Sequence, residues 1–510
     1  MDSPSPAAFV NTSLFDRENQ KADYLAEASA MVNSHNHQCN ALQATALSSL
    51  LLWPGDDAYR HSTNSWWSAN ARFHPACIVQ PKKTEDVSEI VKTLSKLPHG
   101  HITIRSGGHN RDYSHEKLAD SVTIDMTHFN QTTYNPETKL ASLGPACRWG
   151  DVFLALEKDG VMVPGGRDGD VGVAGLITGG GNSYYTGRRG FVCDNLVNAE
   201  VVLADGTVVN ANANEHADLF KGLKGGMANF GIVTRFDMQA FEAGNLWGGS
   251  RASDVSHTDK LIDLLIEFTD DNHKSPEAAF ILIFLYQPKT SKDIIVAQLV
   301  VDTDNVERPP SLSKILDVPE IFNDVKSRPM SGIANDYLLA SGLRNVWYTL
   351  TFKNDARIVK KASELHKKFV HELLQTVPAD GLAAQSLFQP IPKTFADIGV
   401  AKGGNVLGLD DVEGNSLLWL TAASVDDAKY EHLLKVKSRA MTDELQRYAE
   451  SIGVGHPWVY ANYANPSQCP LESYGDKNIQ FLRDLSCKYD KHGFFQRLAP
   501  EYLRLALDDE

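Results

Sequence analysis

The sequence predicts an α+β fold with two unlike halves, and three observations predict it. Between about 72 and 241, short β-branched runs alternate with amphipathic helical patterns and are closed by Gly, Pro or Asp-Gly turns. From about 242 the strands lengthen, as in "AAFILIFLYQP" (278–288), "IIVAQLVVDT" (294–303) and "SLLWLTAAS" (416–424). Amphipathic helices near 257–270, 356–375 and 430–452 accompany them, the pattern of a large antiparallel sheet covered by helices on one side. The third observation is glycine, which crowds the stretch 164–181 between the strands of the first half.

In chain order, 1–65 reads as an N-terminal arm with a helix around 21–33 and a Ser/Ala/Leu-rich stretch near 41–52. "ACIVQP" (76–81) is a strand stopped by proline. "TEDVSEIVKTLSKL" (84–97) is a helix with Thr84 as N-cap and Val87, Ile90, Val91 and Leu94 on one face. "HITIRS", "SVTIDM", "LASLGP", "VVLADGTVV" and "GIVTRFDMQAF" are strands, and "WGDVFLALEKDG" (149–160) is a helix with a glycine stop. The last fifty residues return to short, glycine-punctuated elements expected to fold back on the first half. These shifts divide the chain into 1–65, 66–241, 242–457 and 458–510.

A chain of 510 residues exceeds one ordinary core, so two or three domains are expected. The formal charge of −15, with no long Lys/Arg run, argues against nucleic acid and anionic membranes as partners. No apolar run reaches the ~18 residues of a membrane span. The first residues carry no basic region followed by an apolar one, so a cytoplasmic location is expected. The six cysteines (39, 77, 147, 193, 469, 487) are scattered without a CxxC, and are expected to be reduced thiols.

Two stretches carry the chemistry. "IRSGGHN" (104–110) ends a strand with two glycines and then presents a histidine. Adjacent glycines allow a tight turn, a close backbone approach and an anion-binding nest of N–H groups. The plainer reading is a strand-to-turn junction with a surface histidine. "PGGRDGDVGVAGLITGGGNSYY" (164–185) is glycine-dense enough that something must approach its backbone, either a ligand or a loop packed on a sheet. No GxGxxG, GxxxxGK[ST] or HExxH motif occurs, so neither a Rossmann site, a phosphate loop nor a zinc site is expected.

Together the two stretches resemble flavin-linked oxidases of the vanillyl-alcohol oxidase superfamily, in the berberine-bridge-enzyme-like branch. "DLFKGLKGGMANFGIVTRFDM" (218–238), "FADIGVAKGGNVLGLDDVEGNSLLWL" (395–420) and "WVYANYANPSQCPLESYGDKNIQFLRDLSCKYDKHGFFQRL" (458–498) extend the resemblance in order across most of 70–500. It implies a two-part, PCMH-type FAD-binding domain with a substrate domain over the flavin ring. The turn Arg105, Ser106, Gly107, Gly108, His109 and Asn110 would then cradle the FAD pyrophosphate. His109 would form the single covalent bond to the flavin 8α-methyl carbon. Gly166, Asp168, Gly172, Gly175, Gly179, Gly180, Gly181, Gly231, Ile232 and Asn462 would be its other neighbours. Many relatives attach the flavin a second time through a cysteine, where this chain has Asp168. Val171 falls at the position thought to gate oxygen, where valine accompanies oxidases and leucine dehydrogenases.

The resemblance places the last aromatic of "Tyr460-Ala461-Asn462-Tyr463" over the flavin, making Tyr463 the expected base. Read as a strand, the segment turns Tyr460 and Asn462 to one face and Tyr463 to the other. A pair of core tyrosines is the alternative. The branch sometimes adds a substrate-domain carboxylate, but "SLFQPIP" (386–392) offers only Gln389 there. Three functions compete: an oxidase of a small apolar metabolite using O2, a carbohydrate oxidase, and a non-redox use of the flavin as a scaffold for cyclisation.

Overall fold

The computed structural model describes residues 36–111, 120–498 and 505. The helix expected around 21–33 lies outside these residues. Two sheets build the first half. One pairs Cys77–Val79, Val122–Asp125 and Ile102–Arg105 in parallel, with Leu51–Leu52 antiparallel at its edge. The other is antiparallel, in the order Thr132–Asn135, Leu140–Leu143, Ile232–Gln239, Leu196–Val202, Val208–Asn212.

The helix Thr84–Leu94 buries Val87, Ile90, Val91 and Leu94, as its spacing requires. Thr84 is not its cap, however: Lys83 holds that place, and the Thr84 hydroxyl donates to Glu200 of the second sheet at 2.8 Å. A tertiary acceptor has displaced the local one.

The second half is a nine-stranded antiparallel sheet running from Leu246 to His456. Helices Thr258–Asp271, Ala356–Leu373 and Glu431–Ser451 cover one face, where Phe280, Leu282, Phe284, Tyr348 and Trp419 meet them. Alternation turns Ile281, Trp347, Leu387, Leu420 and Ala422 to the other face, against Trp67 and Tyr463. Strands Leu246–Ser253, Arg344–Lys353 and Leu382–Ile391 stand outside the sequence expectation. In the first, Gly248, Gly249 and Arg251 disguise a core strand; Arg251 is fully buried because Ile315 and Val318 carbonyls accept its guanidinium at 2.5 and 2.6 Å.

The C-terminal helix Asp476–Tyr489 packs Leu482 and Leu485 into the core of the first half, and Phe494, Phe495 and Leu498 join the core of the parallel sheet. A second expectation is corrected. Cys39 and Cys77 form a disulfide, because helix His37–Gln43 lies on strand Cys77–Val79 with the two Cα atoms 6.1 Å apart. A separation of 38 residues gave no cadence to read. The thiols therefore lend no support to a reducing compartment.

Candidate active site

Strand Ile102–Arg105 delivers the Gly-Gly turn to the junction of the two halves. A Cβ on Gly107 would lie 2.4 Å from the Gly172 Cα, so here two glycine backbones approach each other. Gly108 adopts φ +68°, and its carbonyl accepts from the Trp67 N–H at 2.9 Å. His109 follows, stacked on Trp67 with ring centroids 4.3 Å apart. Its Nε2 is buried without a hydrogen-bond partner. Burial, reinforced by the Arg111 and Arg148 cations, pushes its pKa down to about 3, which leaves the imidazole neutral.

The turn opens on a cavity of about 370 Å³ between the halves. Of the expected cofactor residues, Ser106, Gly107, Gly108, His109, Asn110, Asp168, Val171, Gly172, Gly175, Gly231, Ile232 and Asn462 line it. Arg105, Gly166, Gly179, Gly180 and Gly181 stand behind the wall, outside the cavity lining. The Arg105 guanidinium is committed to Ser62 and Ser65, 3.6 Å from Asp125. Gly165 and Gly166 make room for the Trp149 ring, and a Cβ on Gly179 would meet the Asn462 side chain at 2.5 Å. Part of the glycine density is thus loop packing.

The segment Tyr460–Tyr463 is not a strand, which corrects the face argument. It is a tight turn in which the Tyr463 and Ala464 N–H groups both donate to the Tyr460 carbonyl, at 2.9 and 3.0 Å. The two rings meet edge to face at 4.9 Å. Both tyrosines line the cavity, but they differ in surroundings. Tyr460 is 2 % exposed, and burial raises its hydroxyl pKa well above the ordinary value. The Tyr463 hydroxyl accepts from Arg167 Nη2 at 2.9 Å and from Gln389 Nε2 at 3.1 Å. Gln389 is set in turn by Asn182, whose Nδ2 donates to Oε1 at 3.3 Å. Asn462 Nδ2 donates to the Gly175 carbonyl at 2.8 Å, and its Oδ1 accepts from the Gly181 N–H at 3.2 Å. Arg111 completes the turn by donating to the Asn462 and Ala464 carbonyls at 2.5 and 2.9 Å.

Asp168 accepts from the Asp170 and Leu339 N–H groups at 2.8 and 3.0 Å, tying the first half to a loop of the second. Burial pushes its pKa up to about 6. Sequence reasoning missed Arg167, Arg111, Trp67, Trp347 and Asn182. Only Arg167 carried a signal, as the single cation inside the glycine run.

Three features fit a flavin dinucleotide. The wall at Ser106–His109 and Gly172–Gly175 is backbone and short side chains, a Cβ on Gly175 would meet nothing within 4 Å, and the neutral His109 presents an unpartnered nitrogen. Fold and cavity together define a flavin-linked oxidoreductase.

Comparison with known proteins makes the assignment narrower. The model of the FAD binding domain family matches residues 75–212. The FAD-dependent monooxygenase sdcF of Emericella nidulans is 36% identical over 463 residues, covering 90% of this chain and 97% of that protein. The FAD-dependent monooxygenase drtC of Aspergillus calidoustus is 34% identical over 466 residues, covering 91% of this chain and 89% of that one. Among solved structures, the wild-type BBE-like 1 protein of Physcomitrella patens shares the fold, with TM-score 0.71 at 18% identity over 93% of this chain and 100% of that one. The chain belongs to the same family of FAD-linked oxidoreductases as these relatives, and it has the fold of the berberine-bridge-enzyme-like proteins.

Proposed function

We propose that the protein is an oxidase that takes a hydride from an alcohol, amine or activated carbon of a small, mostly apolar secondary metabolite, with O2 as electron acceptor. The observation that carries this reading is the Tyr463 hydroxyl, on the cavity wall with two N–H donors aimed at its oxygen. The Ser106–His109 turn, Gly172, Gly175 and Ile232 would hold FAD, which would supply the hydride acceptor and the route of electrons to O2. Tyr463, acting as its phenolate, takes up the substrate proton on Oη and becomes the neutral hydroxyl, while the Arg167 and Gln389 N–H groups donate to that oxygen and hold it in place. Tyr460, sealed beneath it, holds the ring by its edge. The stacked Trp67 fixes the His109 plane for a single covalent attachment to the flavin. Val171, on the same wall, leaves room for oxygen.

The apolar sheet face of Ile281, Trp347, Leu387, Leu420 and Ala422 beside Tyr463 supports a hydrocarbon-rich substrate over an oligosaccharide, which needs a polar groove. A second reading has support from the two relatives named monooxygenases, in which one atom of O2 enters the product. Oxygen uptake with isotope-labelled O2 separates these. An oxidase returns stoichiometric peroxide and an unlabelled product, and a monooxygenase returns a labelled one. No oxygen uptake with turnover intact leaves the non-redox cyclase. Acid-precipitated protein is expected to stay yellow, and His109→Ala to release the flavin with reduced activity and an intact fold. A colourless precipitate from the wild type would remove the histidyl bond.

A further inference from the structure

The polar atoms of the cavity are not balanced. Two guanidinium side chains line it, Arg111 and Arg167, while Asp168 is the only carboxylate on the wall among the described residues. Both Asp168 oxygens already accept backbone N–H groups. The Arg111 guanidinium is turned onto the 460–464 turn and lies over the Trp347 ring, 4.6 Å from its centroid. Arg167 is different. One Nη2–H goes to Tyr463, and Nε and Nη1 have no acceptor among the described residues; neither atom is sealed from solvent. A half-buried guanidinium with a bare fork, at the wall of an apolar pocket, is built for a planar anionic partner. The protein as a whole carries −15, so a cationic pocket wall is not a consequence of its composition.

We propose that Arg167 is the substrate anchor. The substrate is an acid, a carboxylate or an ionised phenol or enol, whose anionic oxygen takes the open edge of Arg167. Its flat, apolar body lies against Trp347 and Leu339. This deepens the function proposed above and rests on it, since the anchored oxygen sets the reacting carbon beside Tyr463. Near Tyr463 the sheet face contributes the apolar Ile281, Leu387, Leu420 and Ala422, and its polar Gln389 is already engaged by Tyr463 and Asn182. Arg167 therefore sets specificity by charge, while the sheet sets it by shape.

The test is binding to the purified holoenzyme, read from the visible difference spectrum of the flavin and by calorimetry. The probes are 2-naphthoate and its neutral isostere 2-naphthamide. The acid is expected to bind about tenfold tighter or more, with a preference that weakens as salt rises. Arg167→Met should equalise the pair, and Arg167→Lys should keep part of the preference because it keeps the charge without the fork. Gln389→Ala removes the other Tyr463 donor and should leave the preference intact. An acid that binds no better than the amide to wild type, including no binding of either, overturns the assignment. So does a preference that survives Arg167→Met, or one that Gln389→Ala abolishes as fully, since the discrimination would then belong to the Tyr463 hydroxyl. 4-Nitrophenol titrated on both sides of its own ionisation should bind tighter as the phenolate than as the neutral phenol, and equal binding of the two forms would overturn the anchor for phenols. The two proposals fail separately: Tyr463→Phe reports on proton removal without changing the acid-to-amide ratio.

Discussion

The two walls of the cavity are made of different material. The wall proposed to hold the cofactor is backbone: Gly107 faces Gly172, and at Gly175 there is open space. The wall proposed for the substrate is side chains, Tyr463, Arg167 and Trp347 with Gln389 behind Tyr463, gathered from a C-terminal turn, the glycine run and two separate strands of the large sheet. A backbone wall tolerates only small residues, so it leaves a mark on the sequence. A side-chain wall is assembled by topology and leaves almost none. The contrast also assigns different failures to each: the first loses the cofactor when broken, the second loses the chemistry while keeping it.

The largest effect is expected on the substrate wall. Tyr463→Phe keeps the ring and its edge contact with Tyr460 and removes only the hydroxyl. Single-turnover flavin reduction should slow by about a hundredfold to ten-thousandfold, with flavin content and melting temperature nearly unchanged. Tyr460→Phe should behave in the opposite way. Its hydroxyl is fully buried against the Asn182 backbone, so losing it should lower stability by about 1–3 kcal/mol and leave flavin reduction within a few-fold. If Tyr460→Phe is the slower enzyme, the roles are reversed.

The next test breaks the cofactor wall. In Gly107→Ala the new Cβ meets the Gly172 backbone at 2.4 Å, which cannot rotate aside as a side chain could. Overpacking of this kind costs about 1–3 kcal/mol, and the flavin should be retained poorly in consequence. A Gly107→Ala protein with full flavin content and an unchanged melting point would show that the two backbones can separate without loss.

These walls explain what was legible in the sequence. The helix at 84, the strand–glycine–histidine junction and the long strands at 278, 294 and 416 follow from periodicity and turn residues, and the structure has them. The Gly165-Gly166 pair looks the same in sequence as Gly107-Gly108, but it accommodates Trp149 rather than lining the cavity. Glycine reports that something comes close and not what it is. The 460–463 turn reads as a strand because aromatic residues favour strands. The Tyr460 carbonyl instead takes two N–H bonds, and Arg111, more than 300 residues away, caps the turn. Cys39–Cys77 and Arg251 were illegible for the same reason, since their partners are distant in sequence.

A smaller effect is expected at the seam between the walls. Burial raises Asp168 to about 6 in the folded protein, against an ordinary value of 3.8. Below the ordinary value the carboxyl is protonated in both folded and unfolded chains, and its contribution is fully present. As pH rises from about 4 through 6, the unfolded chain releases this proton first, so stability falls and then levels. The whole change is at most about 3 kcal/mol. Asp168→Asn does not titrate, and it gives one of the Asp170 and Leu339 N–H groups no acceptor. It should be less stable than wild type near pH 4, with the gap narrowing by pH 7. Parallel stability curves for the two proteins across that range would mean that Asp168 ionises as an ordinary carboxylate.

The smallest effect separates the two materials within a single residue. Gly175 lies in the helix Val173–Thr178 and lines the cavity, and a Cβ there meets nothing within 4 Å. In the protein stripped of flavin, Gly175→Ala should be neutral or stabilising by up to about 1 kcal/mol, because alanine is the better helix former. A methyl that enters empty space harmlessly must collide once a ligand fills that space. The same variant should therefore bind flavin more weakly, and the melting-point rise that flavin gives the wild type should shrink. Because covalent attachment obscures affinity, the comparison is best made in a His109→Ala background, where flavin binds reversibly. If Gly175→Ala gains stability and binds flavin as well as its parent, the cofactor does not lie against this helix, and the backbone wall serves the loop packing alone.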